Sequence, residues 1–85
     1  MHIQLRFFAS VREALGTSSE AIDVPASVLT VGDVRSFLVE RGGIWAETLS
    51  PQRALRMAYE QVMTSPDTPL TEGCEVAFFP PVTGG

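Results

Sequence analysis

The chain closes on Phe78-Phe79-Pro80-Pro81-Val82-Thr83-Gly84-Gly85, and the group there that could do chemistry is the α-carboxylate of Gly85. Two final glycines carry no Cβ, so they suit a narrow channel where any side chain would clash, and they let a nucleotide or another backbone approach the carboxylate closely. Six extended residues from Pro80 to Gly85 reach roughly 20 Å, enough to carry that carboxylate into a partner while the folded body stays outside. A carboxylate is a poor electrophile and supplies no sulfur, so it needs activation by a separate enzyme, most simply adenylation, followed by replacement of the phosphate by sulfur. No side chain of this protein has to perform that step. The other reactive side chains are isolated. Cys74 is the sole cysteine and cannot form an internal disulfide; it reads as a small hydrophobe packed at a turn, with a sulfur-relaying thiol as the alternative. His2 is the sole histidine and reads as structural or solvent-facing. No Cys/His cluster has metal-ligand spacing, so no metal site and no catalytic triad is expected.

The tail needs a rigid root. Glu75 to Phe79 is β-prone, with Val76 and Phe78 on one face and Ala77 and Phe79 on the other, and Pro80-Pro81 stops it without turning it back, because neither proline donates to a ladder and each holds its predecessor extended. Upstream, Ile3, Leu5 and Phe7 alternate with Gln4, Arg6 and Phe8 as a first strand. Ser10 with Glu13 reads as a capping box for a short helix closed at Gly16. Ala21 to Val24 is a second strand ended by Pro25. Thr30, with Asp33 three residues on, caps a main helix whose Val31, Val34, Phe37 and Leu38 share one face, and Gly42-Gly43 ends it. Ile44 to Leu49 forms a helical turn broken at Ser50-Pro51. Arg53 to Tyr59 reads as a strand, Val62-Met63 as a shorter one, and Leu70 to Gly73 as the turn into the last strand. Strands and helices in this order predict an α+β fold, a mixed sheet with helices packed on one face. The body spans 1–79 and the extended reactive tail 80–85.

With 85 residues there is room for one domain, which buries about 60–65% of its unfolded surface. A hydrophobic content of 45% is that of a globular protein, and no segment is long and apolar enough to span a bilayer. Met1-His2-Ile3-Gln4 opens directly into a strand pattern without signal-peptide character, so the expected location is cytoplasmic. A net charge of -4 with six scattered arginines argues against nucleic acid. There is no lysine, and a modifier that builds chains on itself would need a side-chain amine to accept the next carboxylate. Carrier duty fits better than polymer tagging.

The run Pro69-Leu70-Thr71-Glu72-Gly73 followed by Glu75-Val76-Ala77 and the closing residues resembles the family of small, sulfur-carrying subunits of molybdopterin synthase, and Phe7-Phe8-Ala9 with Val11-Arg12-Glu13 and Leu15-Gly16 is similar to the same family near its start. The likeness spans the chain. It implies a ubiquitin-like β-grasp domain whose terminal glycine, Gly85, is adenylated by an E1-like adenylyltransferase and sulfurtransferase that uses ATP. The glycyl adenylate then becomes a thiocarboxylate, which donates the dithiolene sulfurs of molybdopterin. It also implies a catalytic large subunit that holds the acid–base residues, a dimer of heterodimers, and no permanently bound cofactor; alone, the chain would not be an enzyme. Pro81, Val82, Thr83 and Gly84 would thread into the partner. Tyr59-Glu60 departs from the family pattern, which places a small apolar residue and Asn there, and puts the local turn in question.

If Ile3, Leu5, Phe7, Val76 and Phe78 pack beneath the main helix, alternation sends Phe8 and Phe79 to the opposite, helix-free face, with Met63 joining from a neighbouring strand. Phe8, Met63 and Phe79 are therefore the expected partner interface, an apolar patch beside the root of the tail that would serve the activating enzyme and the large subunit in turn. Three other readings compete: a sulfur carrier for another product such as thiamin, a modifier that conjugates through Gly85 to amines, and a non-reactive ubiquitin-like binding module. The Phe-Phe-Pro-Pro-Val-Thr stretch favours the pterin pathway.

Overall fold

The computed structural model describes residues 1–81. In chain order the elements are β1 (His2–Phe7), α1 (Ala9–Leu15), β2 (Ser19–Asp23), α2 (Val31–Val39), α3 (Gly43–Thr48), β3 (Arg56–Tyr59), β4 (Val62–Thr64) and β5 (Glu75–Phe79). The five strands form one sheet in the order β2-β1-β5-β3-β4. β5 enters the middle, parallel to β1 and antiparallel to β3, while β2 and β4 close the two edges by antiparallel pairing. The result is a mixed sheet in an α+β fold, the β-grasp arrangement.

Alternation along β1 buries Ile3, Leu5 and Phe7 and exposes the residues between them. Those three join Val76 and Phe78 of β5, Met57 of β3, and Val31, Val34 and Leu38 of α2 in one core with Val11 and Leu49. Phe7 and Phe78 are essentially inaccessible, and Trp45 closes the end of the core with its ring edge-on to Phe7 at 5.7 Å. Arg41 lies 4.4 Å over the Trp45 ring and holds Glu20 of β2 through two hydrogen bonds, pinning the end of the main helix to the edge of the sheet.

α2 begins where Thr30 and Asp33 predict. The Asp33 N–H donates to Thr30 Oγ1 at 3.1 Å, and the Asp33 carboxylate accepts from the N–H of Thr30 and of Leu29, a complete capping box. The expected box at Ser10 and Glu13 does not form. The helix starts earlier, at Ala9, and the Phe8 carbonyl accepts the Val11 and Arg12 N–H groups, so a side-chain cap has no role there. Gly16 closes α1 in the left-handed region with φ 74°, and its N–H donates to the Arg12 carbonyl. Gly42-Gly43 does not end α2, which already stops at Val39; Gly43 is the first residue of α3, and Gly42 caps it.

β3 is shorter than the sequence pattern suggests, starting at Arg56 instead of Arg53. The cause is remote in sequence: the Arg35 guanidinium, projecting from α2, donates to the carbonyls of Leu49, Ser50 and Arg53 and holds residues 49–53 as a turn. β2 is displaced one residue earlier than expected at its end, since Val24 leaves the strand to accept the Met1 amino group while its N–H donates to the Met1 carbonyl. Between β3 and β4 the hairpin loop is Glu60-Gln61, both at positive φ, 50° and 67°. Two successive left-handed residues are what a mirror-image two-residue hairpin turn demands, and glutamate and glutamine are poor choices for it. The Glu60 carboxylate offsets part of that strain by accepting the Glu75 N–H at 3.2 Å, while the Glu60 N–H donates to the Glu75 carbonyl.

Candidate functional site

The helix-free face of the sheet is assembled by register. Phe7 pairs with Phe78 on the core side, so the next residues of both strands, Phe8 and Phe79, fall together on the other side. There the two rings meet edge-to-face with centroids 6.3 Å apart. Ala77 pairs with Ala58 of β3, and Ala58 with Met63 of β4, which carries the same face out to the sheet edge. Together these residues line an open groove of about 370 Å³, rimmed by Gln61 and Glu75. Phe8, Met63 and Phe79, singled out from alternation alone, thus occur in one place. Alternation had already put Ala77 on the Phe79 face, and carried across the strand register it would also have found Ala58; the small side chains of both line the groove.

The groove is accessible apolar surface. Phe8 is 42% and Met63 57% exposed, and Phe79 is half-buried. Arg6 stands at one margin with its guanidinium 5.6 Å from the Phe8 ring centroid and 3.8 Å from Glu75, so the charge at the rim is largely balanced and the floor is neutral. Contiguous exposed hydrophobics of this kind mark a surface for another protein, with aromatics as the anchors that supply most of the binding energy.

Strand β5 runs from this groove into Pro80 and Pro81, both half-buried. Pro80 also lines a second, smaller depression of about 200 Å³ on the helical side, against Val11, Ala14, Ile44 and Leu55. The root of the tail therefore stands between the apolar groove on one side of the sheet and a mixed depression on the other, where Ser10, Glu47, Thr48 and Arg53 join the apolar residues. The second surface was not anticipated, because it depends on how α1 and α3 meet around residue 55. Val82, Thr83, Gly84 and Gly85 lie outside the described residues.

The remaining reactive side chains are far from that root. Cys74 sits just before β5, 1% exposed and packed in the core, and burial pushes its thiol above the ordinary cysteine range. That agrees with a packing role. His2 is at the opposite end of β1 from Phe8, its Nδ1 3.0 Å from Asp23, with its backbone N–H donating to the Glu72 carboxylate. Among the described residues no group of three or more His, Cys, Asp and Glu could hold a metal ion, and no helix is long and apolar enough to cross a membrane.

The profile of the ThiS family matches residues 5–85. The chain is 46% identical over 83 residues to the molybdopterin synthase sulfur carrier subunit of Escherichia coli strain K12, covering 98% of this chain and 99% of the relative. Among solved structures it is similar to the Haloferax volcanii small archaeal modifier protein 1, with a TM-score of 0.74 and 23% identity over 95% of this chain and 98% of that one. It is similar in fold also to a chain in the complex of subunits 1 and 2 of the molybdopterin-converting factor from Helicobacter pylori 26695, with a TM-score of 0.67 and 22% identity over 100% of both chains.

Proposed function

The chain belongs to the ThiS family, and from that premise we propose that it is the sulfur carrier subunit of a molybdopterin synthase, with the α-carboxylate of Gly85 as the group that carries sulfur. What supports the reading is the end-to-end identity with a sulfur carrier subunit, on a fold whose last strand delivers Pro80 beside a pair of exposed aromatic rings.

The chemistry is simple to balance. The Gly85 carboxylate attacks the α-phosphate of ATP on an E1-like enzyme, giving a glycyl adenylate and pyrophosphate. A sulfide-level nucleophile then adds to the acyl carbon and expels AMP, leaving a thiocarboxylate. That sulfur passes to the pterin precursor on the large subunit, which supplies the acid–base groups, and water restores the carboxylate. The body of this chain contributes binding. Phe8, Met63 and Phe79 dock on each partner in turn, and Pro81, Val82, Thr83 and Gly84 lead Gly85 into the partner's channel. A large-subunit partner is in keeping with the two-subunit complex of the Helicobacter protein. The setting is cytoplasmic, with ATP used by the activating enzyme and no cofactor resident on the carrier.

The test is the intact mass of the protein after incubation with ATP, its activating enzyme and a sulfur donor. Replacement of one oxygen by one sulfur, localised to Gly85 and lost when that residue is deleted, is the expected result; no gain with an activating enzyme shown to be competent on another carrier refutes it. Gly84→Ala slows adenylation or transfer, since a Cβ enters the channel. One residue added after Gly85 abolishes both steps by displacing the carboxylate, and full activity of that extended form would exclude the mechanism.

A further inference from the structure

An activated glycine is an acylating agent, and the body of the carrier is tethered to it by the tail. The strong acyl acceptors of a protein are amines and thiolates. This chain has no lysine; all six of its basic residues besides His2 are arginines, whose guanidinium stays protonated and does not attack an acyl carbon at neutral pH. Its single thiol, Cys74, is 1% exposed in the core. The Met1 amino group donates to the Val24 carbonyl at 3.0 Å where β1 and β2 begin and end. Tyr59, the sole phenol, has its hydroxyl hydrogen-bonded to Thr71 at 2.6 Å.

Position reinforces burial. β1 and β5 are parallel, so Met1, His2 and Cys74 gather at the end of the sheet where β5 starts, and Pro80 leaves at the other end. Five residues of extended chain lie between Cys74 and Pro80, six steps or about 20 Å at the rise of a strand. Residues 81–85 span at most about 17 Å when fully extended. His2 is exposed and nucleophilic, but an acyl imidazole hydrolyses back to the carboxylate and leaves no lasting bond.

We propose that the chain cannot acylate itself: the amines and thiols that could trap an activated Gly85 are absent from its sequence or held at the far pole of its fold, beyond the reach of its own tail, so its own body does not capture the acyl group. The inference rests on the carrier reading above. The reaction avoided is aminolysis, in which an amine nitrogen bonds the glycyl carbon, the carbon–oxygen bond to phosphate breaks, and AMP and a proton depart.

The experiment installs the missing nucleophile. Arg53 is exposed and lies in the depression that Pro80 lines, and Arg12 is exposed on α1; R53K and R12K keep charge and leave the helix-free groove untouched. Each full-length protein is incubated with ATP and the activating enzyme, without sulfur donor or large subunit, and intact mass is followed. Wild type gives no product of one chain less one water. The lysine variants accumulate amide within one chain, one chain less one water, about tenfold or more above wild type, because tethering places the amine at millimolar effective concentration. Adenylation of the variants to the wild-type level with no such amide overturns the proposal, as does amide or thioester formation within one wild-type chain. Failure of any form to be adenylated by a competent enzyme strikes the carrier reading instead, and the inference falls with it.

Discussion

Phe78 and Phe79 are neighbours of identical chemistry in opposite surroundings. The Phe78 ring is inaccessible in the core, beneath α2 and beside Met57, whereas Phe79 stands half-buried against Phe8 on the free face. Phe78→Ala should lower unfolding free energy by about 3–5 kcal/mol, much of what a domain this small possesses, read as a shift in the denaturation midpoint. Phe79→Asp should leave the fold in place and weaken binding to both the activating enzyme and the large subunit by about tenfold or more, or about 1.4 kcal/mol, as measured by calorimetry. Unchanged affinity for either partner would remove the shared-groove assignment. The alternation that separates these two residues is written in the sequence, which is why the groove aromatics were legible there. The depression around Pro80 was not, because Ala14, Ile44 and Leu55 come from three segments whose meeting no local pattern encodes.

At the scale of elements, local signals held where the side chain and the backbone wanted the same thing. Thr30 and Asp33 cap α2 reciprocally because both partners lie within one turn of each other. The same pattern at Ser10 and Glu13 lost to the Phe8 carbonyl, which the exit from β1 had already placed over the start of α1. The early part of β3 lost to Arg35, a residue nearly twenty positions away from Arg53 and invisible to any pattern of alternation. Glu60-Gln61 is the clearest local conflict. Both residues hold the left-handed backbone that favours glycine or asparagine, and neither is one. Gln61→Gly should therefore raise stability, by about 0.5–1 kcal/mol, since relief of the positive φ outweighs the extra freedom glycine gives the unfolded chain. A lower melting temperature for that variant would show that the turn is unstrained.

For the whole molecule, two carboxylates hold the main helix at its two ends, Asp33 by capping its start and Glu20 by joining Arg41 beyond its end to β2, and both respond to acid in the same direction. The Leu29 N–H, followed by Thr30, holds the Asp33 carboxyl below its ordinary value of 3.8 against an opposing effect of burial. The hydrogen bond from Arg41 does the same for Glu20, whose ordinary value is 4.5. A carboxylate with a depressed folded-state pKa contributes stability that is present above its unfolded pKa and lost as the pH falls through the folded one. Stability should accordingly decline as pH drops below about 4.5, and the double variant Asp33→Asn with Glu20→Gln should flatten that decline while lowering stability at pH 7. Chemical denaturation across this window checks it, and an unaltered acid slope would assign the decline to other carboxylates.

The central place of β5 bears on the proposed drawing of the tail into a partner. The strand that ends at Phe79 is flanked by β1 on one side and β3 on the other along nearly its whole length. A tug on Pro80 acts along the strand axis, across ladder hydrogen bonds that lie roughly at right angles to it. Both ladders then take the load in shear, many rungs at once, instead of peeling apart from one end as an edge strand would. Mechanically the body is an anchor, and the tail a tether that can be pulled taut without unravelling what it is fastened to.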